Sequence, residues 1–532
     1  MQRRLSWLLR LGLIGHLTGA LMVILALTMV PSAALAWYDH APDLRGIVYA
    51  AGVSAALGLL LFAATRRVAR TVHIGHREGF LIVSIGWWVS GLVGALPYWL
   101  YAHTAPGDVC TVAGFAAGNG LALPIGADFC SFTHCAFESI SGFTTTGASI
   151  VSDGLWGDIA GLTPDGRLGL PRGILLWRAM THFVGGMGII VLGVAILPLL
   201  GVGGMQLFKA EVPGPTTDKL APRVGETAKL LWKVYLLLSA VHFVFLSAGG
   251  MSSFEAVCHT MATMATGGFS TRAASVAGFH SPYFEWVITV FMFLAGMNFT
   301  LHFMALRGRL STYRDDPEFR AYAVMCVGAV VAIAVALLAA GQGFGVGEAF
   351  RVAAFQAISI VTTTGYASFD FEVWTYAPVA LMVLLGLFFV GGCAGSTGGG
   401  IKVVRHVIIA RLWLRELFFL SHPHAVRPVR LGGRSVPPEV LRSIAGFAGA
   451  YMALLTIGTA FICVDGQDLL TAFTAAASCL GNIGPGLGDV GPYDNYAGLG
   501  VASKWAGMWL MILGRLEIYT LLVLLSPSFW RR

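Results

Sequence analysis

The chain has 532 residues, of which 56% are hydrophobic and only 11% are charged. Ordinary soluble domains carry about 25% charged residues, so the shortfall excludes a soluble globular protein and indicates an integral membrane protein. The formal net charge of +7 does not indicate a nucleic-acid partner, because the basic residues fall in loops between apolar runs rather than in one basic, aromatic module. The eight cysteines form no CxxC pair and no metal-ligand spacing.

The N-terminal segment, residues 1–79, contains two apolar runs followed by a basic turn. The first run has the basic start, apolar middle and Ala-rich end of a secretory signal. Its apolar stretch, about Leu11 to Trp37, is nevertheless long enough to span a membrane, which takes about 20 residues, and the run Gly46 to Ala64 follows at once. We therefore favour an uncleaved transmembrane hairpin over a cleaved signal.

Eight further apolar runs bring the number of candidate spans to ten. They cover about 80–102, 174–200, 231–249, 284–305, 321–340, 377–401, 443–464 and 501–526. Each is predicted to be a helix, because lipid cannot satisfy an open backbone. The predicted fold class is therefore an all-α integral membrane protein.

Lys and Arg are distributed unevenly among the loops. They occur at the N-terminus, in the loops near 205–229 (with Lys209, Lys219 and Arg223), 305–320 and 402–442, and at Arg531–Arg532. Counting alternate spans places all of these on one side, which the excess of positive charge identifies as the cytoplasm. The opposite side is poor in basic residues, and 465–503 has none. The prediction is a multi-pass chain with both termini in the cytoplasm.

Four apolar segments of about a dozen residues are too short to cross and are predicted to be re-entrant or buried helices. They are His134–Gly142, Ser253–Ala265, Glu348–Val361 and Asp468–Leu480. Glu138 in the first segment and Asp468 in the fourth are interpreted as helix-start residues. Each segment ends in a Gly-containing tract: FTTTGAS (143–149), ATGGFST (265–271), SIVTTTGYAS (359–368) and LGNIGPG (480–486).

These tracts divide the chain after the hairpin into four units of span, short helix, tract and span. The units are 80–204, 205–310, 311–430 and 431–532. Repeats of this kind imply pseudosymmetry, here about fourfold around a central pore. The alternative, that the tracts are ordinary loop composition in a Gly-rich chain, is disfavoured because all four occupy the same topological position.

Four extended tracts that meet on an axis would present rings of backbone carbonyls, which can replace the water around a cation. The tracts carry no ring of acidic side chains, which argues for a monovalent ion rather than a divalent one. The copies are unequal, because the fourth has Asn482 and Pro485 where threonine and tyrosine stand in the third. We therefore expect a ring of imperfect symmetry.

The chain resembles the TrkH/TrkG/KtrB superfamily of potassium transporters over nearly its whole length, and the hairpin and length resemble TrkH most. The motifs are SGFTTTGAS (141–149), ATGGFST (265–271), VTTTGYAS (361–368), LGNIGPGLG (480–488) and GGCAGSTGGGIKVVR (391–405). The resemblance implies that one glycine per repeat determines potassium selectivity. These would be Gly147, Gly268, Gly365 and Gly484, and the carbonyls lining the path would belong to Thr145, Thr146, Thr266, Gly267, Thr363, Thr364, Asn482 and Ile483. In the second tract either Gly267 or Gly268 could be the equivalent, and Gly268 is preferred because Phe269 then matches Tyr366.

The run from Gly391 to Lys402 differs from a nucleotide-binding P-loop, because Ile401 separates the last glycine from the lysine and no strand precedes it. Its glycines would break a helix inside the second span of repeat three. One reading is an intramembrane loop that gates the pore, as the resemblance also implies, and the other is a packing seam of small residues. The gate residues would be Gly392, Gly395, Ser396, Thr397, Gly398, Gly399, Gly400 and Lys402.

Arg515 is an ionisable residue inside the last span, where a charge is costly. It could pair with Glu517 or reach the interface, whereas the resemblance implies that it lines the pore below the filter as a barrier to cations. In an external loop, Cys110 could form a disulfide with Cys130, with Cys135 as the competing partner.

The sequence and the resemblance together predict potassium uptake across the bacterial inner membrane. The alternative is a sodium- or proton-coupled, less selective monovalent cation symporter of the same fold. Potassium is the expected ion, and no nucleotide site is visible in the chain. The resemblance further implies a homodimer and a cytoplasmic TrkA-type ring that binds NAD or ATP. An intramembrane enzyme would need a pair such as Ser396 and His406, which fits no known nucleophile motif.

Overall fold

The computed structural model describes residues 2–69, 76–105, 109–118, 126–151, 169–195 and 224–530. Lys209, Lys219, Arg223, the boundary at 204/205 and the Arg531–Arg532 pair lie outside these ranges. The described chain is almost entirely helical, and its one sheet is a two-stranded hairpin. The predicted all-α class is confirmed.

The N-terminal hairpin consists of three helices, because the first long helix is interrupted at Met29, just before Pro31. The hairpin is tied to repeat one, since Asp43 accepts a hydrogen bond from the Ile174 N–H at 2.9 Å. The helices are α1 (Gln2–Thr28), α2 (Val30–Tyr38) and α3 (Leu44–Ala69).

Repeat one contains the first short helix, α7, whose residues from Cys135 to Phe143 are all buried. A disulfide joins Cys110 to Cys130, with Cα atoms 5.5 Å apart, and leaves Cys135 free and buried. The helices are α4 (His76–Gly94), α5 (Leu96–Thr104), α6 (Val109–Gly118), a 3₁₀ turn (Ala127–Cys130), α7 (Phe132–Phe143) and α8 (Arg172–Ala195).

Repeats two and three have the same plan of span, short helix, tract and second span. In repeat two the helices are α9 (Val224–Ala248), α10 (Ser253–Met264), a 3₁₀ turn (Ser275–Phe279), α11 (Pro282–Ala295) and α12 (Phe299–Leu306). In repeat three they are α13 (Ser311–Asp315), α14 (Pro317–Ala339), α15 (Val346–Val361), a 3₁₀ turn (Phe371–Tyr376), α16 (Pro378–Leu387) and α17 (Val403–Ser421).

Repeat four follows a small hairpin in which Arg430 pairs with Ser435 and Leu431 with Arg434. Asp468 caps its short helix by accepting from the Leu470 and Thr471 N–H groups, as predicted for a helix-start residue. The elements are β1 (Arg430–Leu431), β2 (Arg434–Ser435), α18 (Pro438–Val464), α19 (Leu469–Gly481), a 3₁₀ turn (Tyr496–Gly498), α20 (Val501–Arg515), α21 (Tyr519–Leu525) and α22 (Pro527–Trp530).

The expectation that every apolar run is a continuous helix is wrong for the second spans of repeats two and four, in which α11 and α12 bend by 98° and α20 and α21 by 115°. In repeat three, α16 stops at Leu387, and the glycine-rich run that follows predicted this break. In the described part, six helices are long and apolar enough to cross a membrane, or eight if each bent pair counts as one span. The open backbone at these breaks is tolerated because other parts of the protein supply its hydrogen-bond partners. For example, Gly296 O accepts a hydrogen bond from the Cys393 N–H at 2.8 Å.

Candidate functional site

The four tracts share one unusual backbone conformation. Two residues before the selected glycine, each tract has a non-glycine residue in the left-handed region: Thr145 (φ 53°), Thr266 (53°), Thr363 (57°) and Asn482 (55°). The glycines also have positive φ: 80° at Gly147, 83° at Gly268, 78° at Gly365 and 109° at Gly484. A threonine with positive φ costs about 1–3 kcal/mol and persists only where the surroundings impose it, often at functional sites. This pattern supports Gly268 over Gly267 as the second member.

The tracts form a closed ring. Each glycine lies against the backbone carbonyl of the residue just before the glycine of the next tract: Gly147 against Gly267, Gly268 against Thr364, Gly365 against Ile483, and Gly484 against Thr146. At the first three positions an added Cβ would lie about 2 Å from the facing carbonyl oxygen, whereas real Cβ atoms essentially never approach another atom closer than 3.0 Å. At Gly484 it would lie 2.8 Å from the oxygen. The contacts run from tract one through four and back to one, so the repeats surround one axis.

Side-chain hydrogen bonds link neighbouring tracts. Asn482 Nδ2 donates to Thr146 Oγ1 at 3.0 Å, which joins tract four to tract one. Tyr366 donates its hydroxyl to Phe269 O at 3.3 Å, which joins tract three to tract two. The ring is therefore braced by side chains as well as by backbone packing.

A polar residue in each short helix holds the chain as it leaves the tract. The residue differs between repeats, but it always lies nine or ten positions before the glycine. The four pairs are Glu138 with Ile150 N (2.9 Å), His259 Nε2 with Ser270 Oγ (3.1 Å), Gln356 Nε2 with Phe369 O (2.7 Å) and Thr474 Oγ1 with Leu487 N (2.9 Å).

Glu138 is therefore not a helix-start residue, and that interpretation is wrong. It lies in the middle of α7, and its carboxylate pairs with Arg178 of α8 at 2.6 Å, with both side chains at most 1% exposed. Arg178 also donates to Ser270 O at 3.3 Å and stacks on Phe269 at 4.0 Å, so one buried pair supports tracts one and two. The sequence signal was an arginine inside the apolar run 174–200.

The intramembrane loop, Gly391–Lys402, is an open backbone segment between α16 and α17. The two ends of the loop are joined by a hydrogen bond, in which the Gly391 N–H donates to Ile401 O at 2.8 Å. Its first half lies in the break between α11 and α12, where Gly395 O accepts from the Phe299 N–H at 3.2 Å. Gly395 and Gly400 have positive φ of 77° and 65°. The loop is therefore held by specific backbone hydrogen bonds, and its role as a gate stays a prediction.

The tip of the loop lies against the C-terminal ends of the short helices. Thr397 Oγ1 donates to Met264 O at 3.1 Å, and the Gly399 N–H donates to Thr363 Oγ1 at 2.6 Å. Gly399 also lies close to Gly481 O, where a Cβ would be at 2.7 Å. The tip thus contacts the ends of α10, α15 and α19.

Glu318 binds the backbone near both ends of this loop, and the residue was not identified from the sequence. Its buried carboxylate accepts from the Ala394 N–H at 2.7 Å and from the Val404 N–H at 3.1 Å. Lys402 Nζ donates to Gly398 O, within the loop itself. The only sequence feature that pointed to this role was the position of an acidic residue at the start of an apolar run.

Arg515 contacts the loop rather than Glu517. Its guanidinium is 2% exposed and donates to Thr397 O at 2.7 Å and to Gly185 O at 3.4 Å. Glu517 pairs instead with Arg405, at the start of α17. The positively charged guanidinium of Arg515 therefore lies at the loop tip.

Ser396 and His406 do not form a nucleophile and base. Ser396 Oγ donates to Cys393 O at 2.7 Å, whereas His406 Nε2 lies 2.8 Å from Phe389 O. Each side chain is thus engaged with a separate backbone carbonyl. The geometry gives no support to an intramembrane enzyme.

Known proteins match this chain along almost its entire length. The profile of a family described as TrkH, cation transport protein, matches residues 126–532. The Trk system potassium uptake protein TrkH of Salmonella typhimurium is 39% identical over 97% of this chain and 99% of its own. TrkG of Escherichia coli is 31% identical over 97% and 98%. The crystal structure of the potassium transporter TrkH from Vibrio parahaemolyticus superimposes with a TM-score of 0.82 at 35% identity, covering 98% of this chain and 100% of that one. The chain belongs to the TrkH family of cation transport proteins.

Proposed function

We propose that this protein takes up potassium across the bacterial inner membrane through the ring of four tracts. The observation that carries the proposal is the closed succession of glycine–carbonyl contacts, because it surrounds one axis with backbone oxygens. Such oxygens can replace the hydration shell of a monovalent cation. The names of the relatives, which are potassium uptake proteins, identify the ion.

The path passes from the ring to the intramembrane loop, which acts as the gate. The loop tip lies under three of the short helices, and the Arg515 guanidinium contacts it. A cation that leaves the ring must displace this segment and pass a like charge. The loop, Lys402 and Arg515 together would limit the flow of cations until the loop moves.

In this proposal, a partner protein in the cytoplasm controls the gate. The loop continues directly into α17, and the basic segment formed by this helix and the residues after it has Arg411, Arg427 and Arg430 exposed. This segment is a suitable dock for a cytoplasmic TrkA-type ring that binds NAD or ATP. A homodimer with both termini in the cytoplasm completes the proposed assembly.

The test is uptake in cells that lack other potassium uptake systems. We expect the protein to restore growth at low potassium and to take up rubidium, and failure with the protein present in the membrane would overturn the proposal. Gly365→Ser should admit sodium, because its side chain would displace the Ile483 carbonyl. Unchanged preference for potassium over sodium would show that the ring is not the filter.

A further inference from the structure

One hydrogen bond connects the intramembrane loop directly to a tract. The Gly399 N–H donates to Thr363 Oγ1 at 2.6 Å, and Thr363 is fully buried with φ of 57°. Thr363 follows the C-terminal end of α15, so it lies at the inner end of its tract, nearest the loop. The contact therefore joins the segment that would move to the segment that would hold the ion.

Among the described residues, the equivalents of Thr363 in the other tracts form no hydrogen bond with the loop, although Asn482 packs against Gly399. Thr145 Oγ1 is buried and has no hydrogen-bond partner there. Thr266 Oγ1 donates to Ala265 O at 2.6 Å, and Asn482 Nδ2 donates to Thr146 Oγ1 and to Met511 O. The link is thus a property of tract three.

The contact needs a residue without a side chain at position 399. A Cβ there would lie 2.7 Å from Gly481 O and 2.8 Å from the Asn482 Cβ. The tip therefore fits between tract three and the end of α19, and the loop cannot withdraw without breaking the bond to Thr363.

A hydroxyl oxygen has two lone pairs, and the amide donor occupies one of them. We propose that Thr363 couples the gate to the filter: the seated loop engages its hydroxyl oxygen, and withdrawal of the loop frees that oxygen to face a cation at the inner end of the ring. This inference rests on the proposed gate. It makes Thr363 a positioning residue that stabilises the seated loop, a role that Thr145 does not share.

The experiment compares Thr363→Val with Thr145→Val in purified protein reconstituted into phospholipid vesicles without a cytoplasmic partner. Each change removes one hydroxyl from the same level of the ring and keeps the side-chain shape, but only the first removes the bond to Gly399. We expect Thr363→Val to raise rubidium flux about two- to tenfold over the wild type, the effect of losing one hydrogen bond. Thr145→Val should give a lower flux than Thr363→Val, because it removes a hydroxyl from the ring without releasing the loop, and Thr363→Ser, which keeps the hydroxyl, should restore the wild-type flux.

A second readout does not depend on conduction. Cys393 is a free thiol, 1% exposed, at the base of the loop. Its alkylation, located by mass spectrometry, should be faster in Thr363→Val than in Thr145→Val, and Thr363→Ala replaces the first variant if that one does not fold.

Equal flux and equal Cys393 reactivity in the two valine variants would overturn the coupling, as would a serine variant that behaves like valine. Absence of rubidium flux in the wild type and in every variant would instead overturn the proposed transport function. The two failures are therefore distinguishable.

Discussion

The glycine ring predicts that four chemically identical substitutions have unequal effects. Alanine at Gly268 places a Cβ about 1 Å inside the 3.0 Å limit from Thr364 O, whereas alanine at Gly484 lies about 0.2 Å inside it from Thr146 O. Placing alanine at positive φ costs about 1–2 kcal/mol, and the φ of 109° makes this backbone strain greater at Gly484 than at Gly268. A larger effect at Gly268 must therefore come from the displacement of the Thr364 carbonyl.

A carbonyl that retreats by about 1 Å leaves the ring with three oxygens at that level instead of four. Selectivity is a difference of binding free energies, so the loss of about 1.4 kcal/mol changes it tenfold. We expect Gly268→Ala to reduce the preference for potassium over sodium at least about tenfold, and Gly484→Ala to reduce it less than about threefold. Gly147→Ala and Gly365→Ala should behave like Gly268→Ala.

The assay is rubidium uptake with increasing external sodium, in cells without other potassium uptake systems. The amount of protein in the membrane and its thermal stability serve as controls for folding. Equal loss in all four variants, or the greatest loss at Gly484, would refute the argument, because the Cβ contacts would then not set the geometry of the ring.

Three further predictions concern the supports of the ring and the loop. Glu138→Gln removes the carboxylate that pairs with the buried Arg178, so we expect about 3–5 kcal/mol of destabilisation in chemical unfolding, and joint replacement of both residues by apolar side chains should cost less. Glu318→Ala removes two charge-assisted hydrogen bonds from the loop and should raise basal rubidium flux, whereas Glu318→Gln keeps an acceptor and should not. Burial and the nearby carboxylates of Asp494 and Asp370 raise the pKa of Glu372 to about 7. Because this pKa lies above the ordinary value of 4.5, the contribution to stability is present below about pH 4.5 and is lost as the pH rises through 7. Glu372→Gln should flatten that part of the pH profile of the melting temperature.

The sequence was sufficient to predict the tracts, because they depend on local requirements. A helix too short to cross, followed by threonines and a glycine, can be recognised in each repeat without any knowledge of contacts. Even the choice of Gly268 could be made from the aromatic residue that follows it. The position of positive φ at Gly268, two residues after Thr266, supports that choice.

The break in the last span could not be predicted, because nothing local marks it. Between α20 and α21 the chain turns at Leu516, Glu517 and Ile518, which are neither proline nor glycine. The turn is stabilised from elsewhere, by the pairing of Glu517 with Arg405. Glu138 and Arg178 show the same limit, since the sequence reveals a costly charge in an apolar run but not the partner 40 residues away.

The backbone asymmetry of the ring lies in tract four. The left-handed residues of all four tracts agree within a few degrees, so Asn482 replaces threonine without altering the backbone, as a residue that tolerates this region can. The glycines do not agree, because Gly484 has φ of 109° against 78–83° in the others. Pro485 follows Gly484, and a proline restricts the backbone of the residue before it. This restriction accounts for the wider φ and for the looser contact with Thr146 O, so the proline, rather than the loss of a threonine, makes the fourth quarter of the ring different.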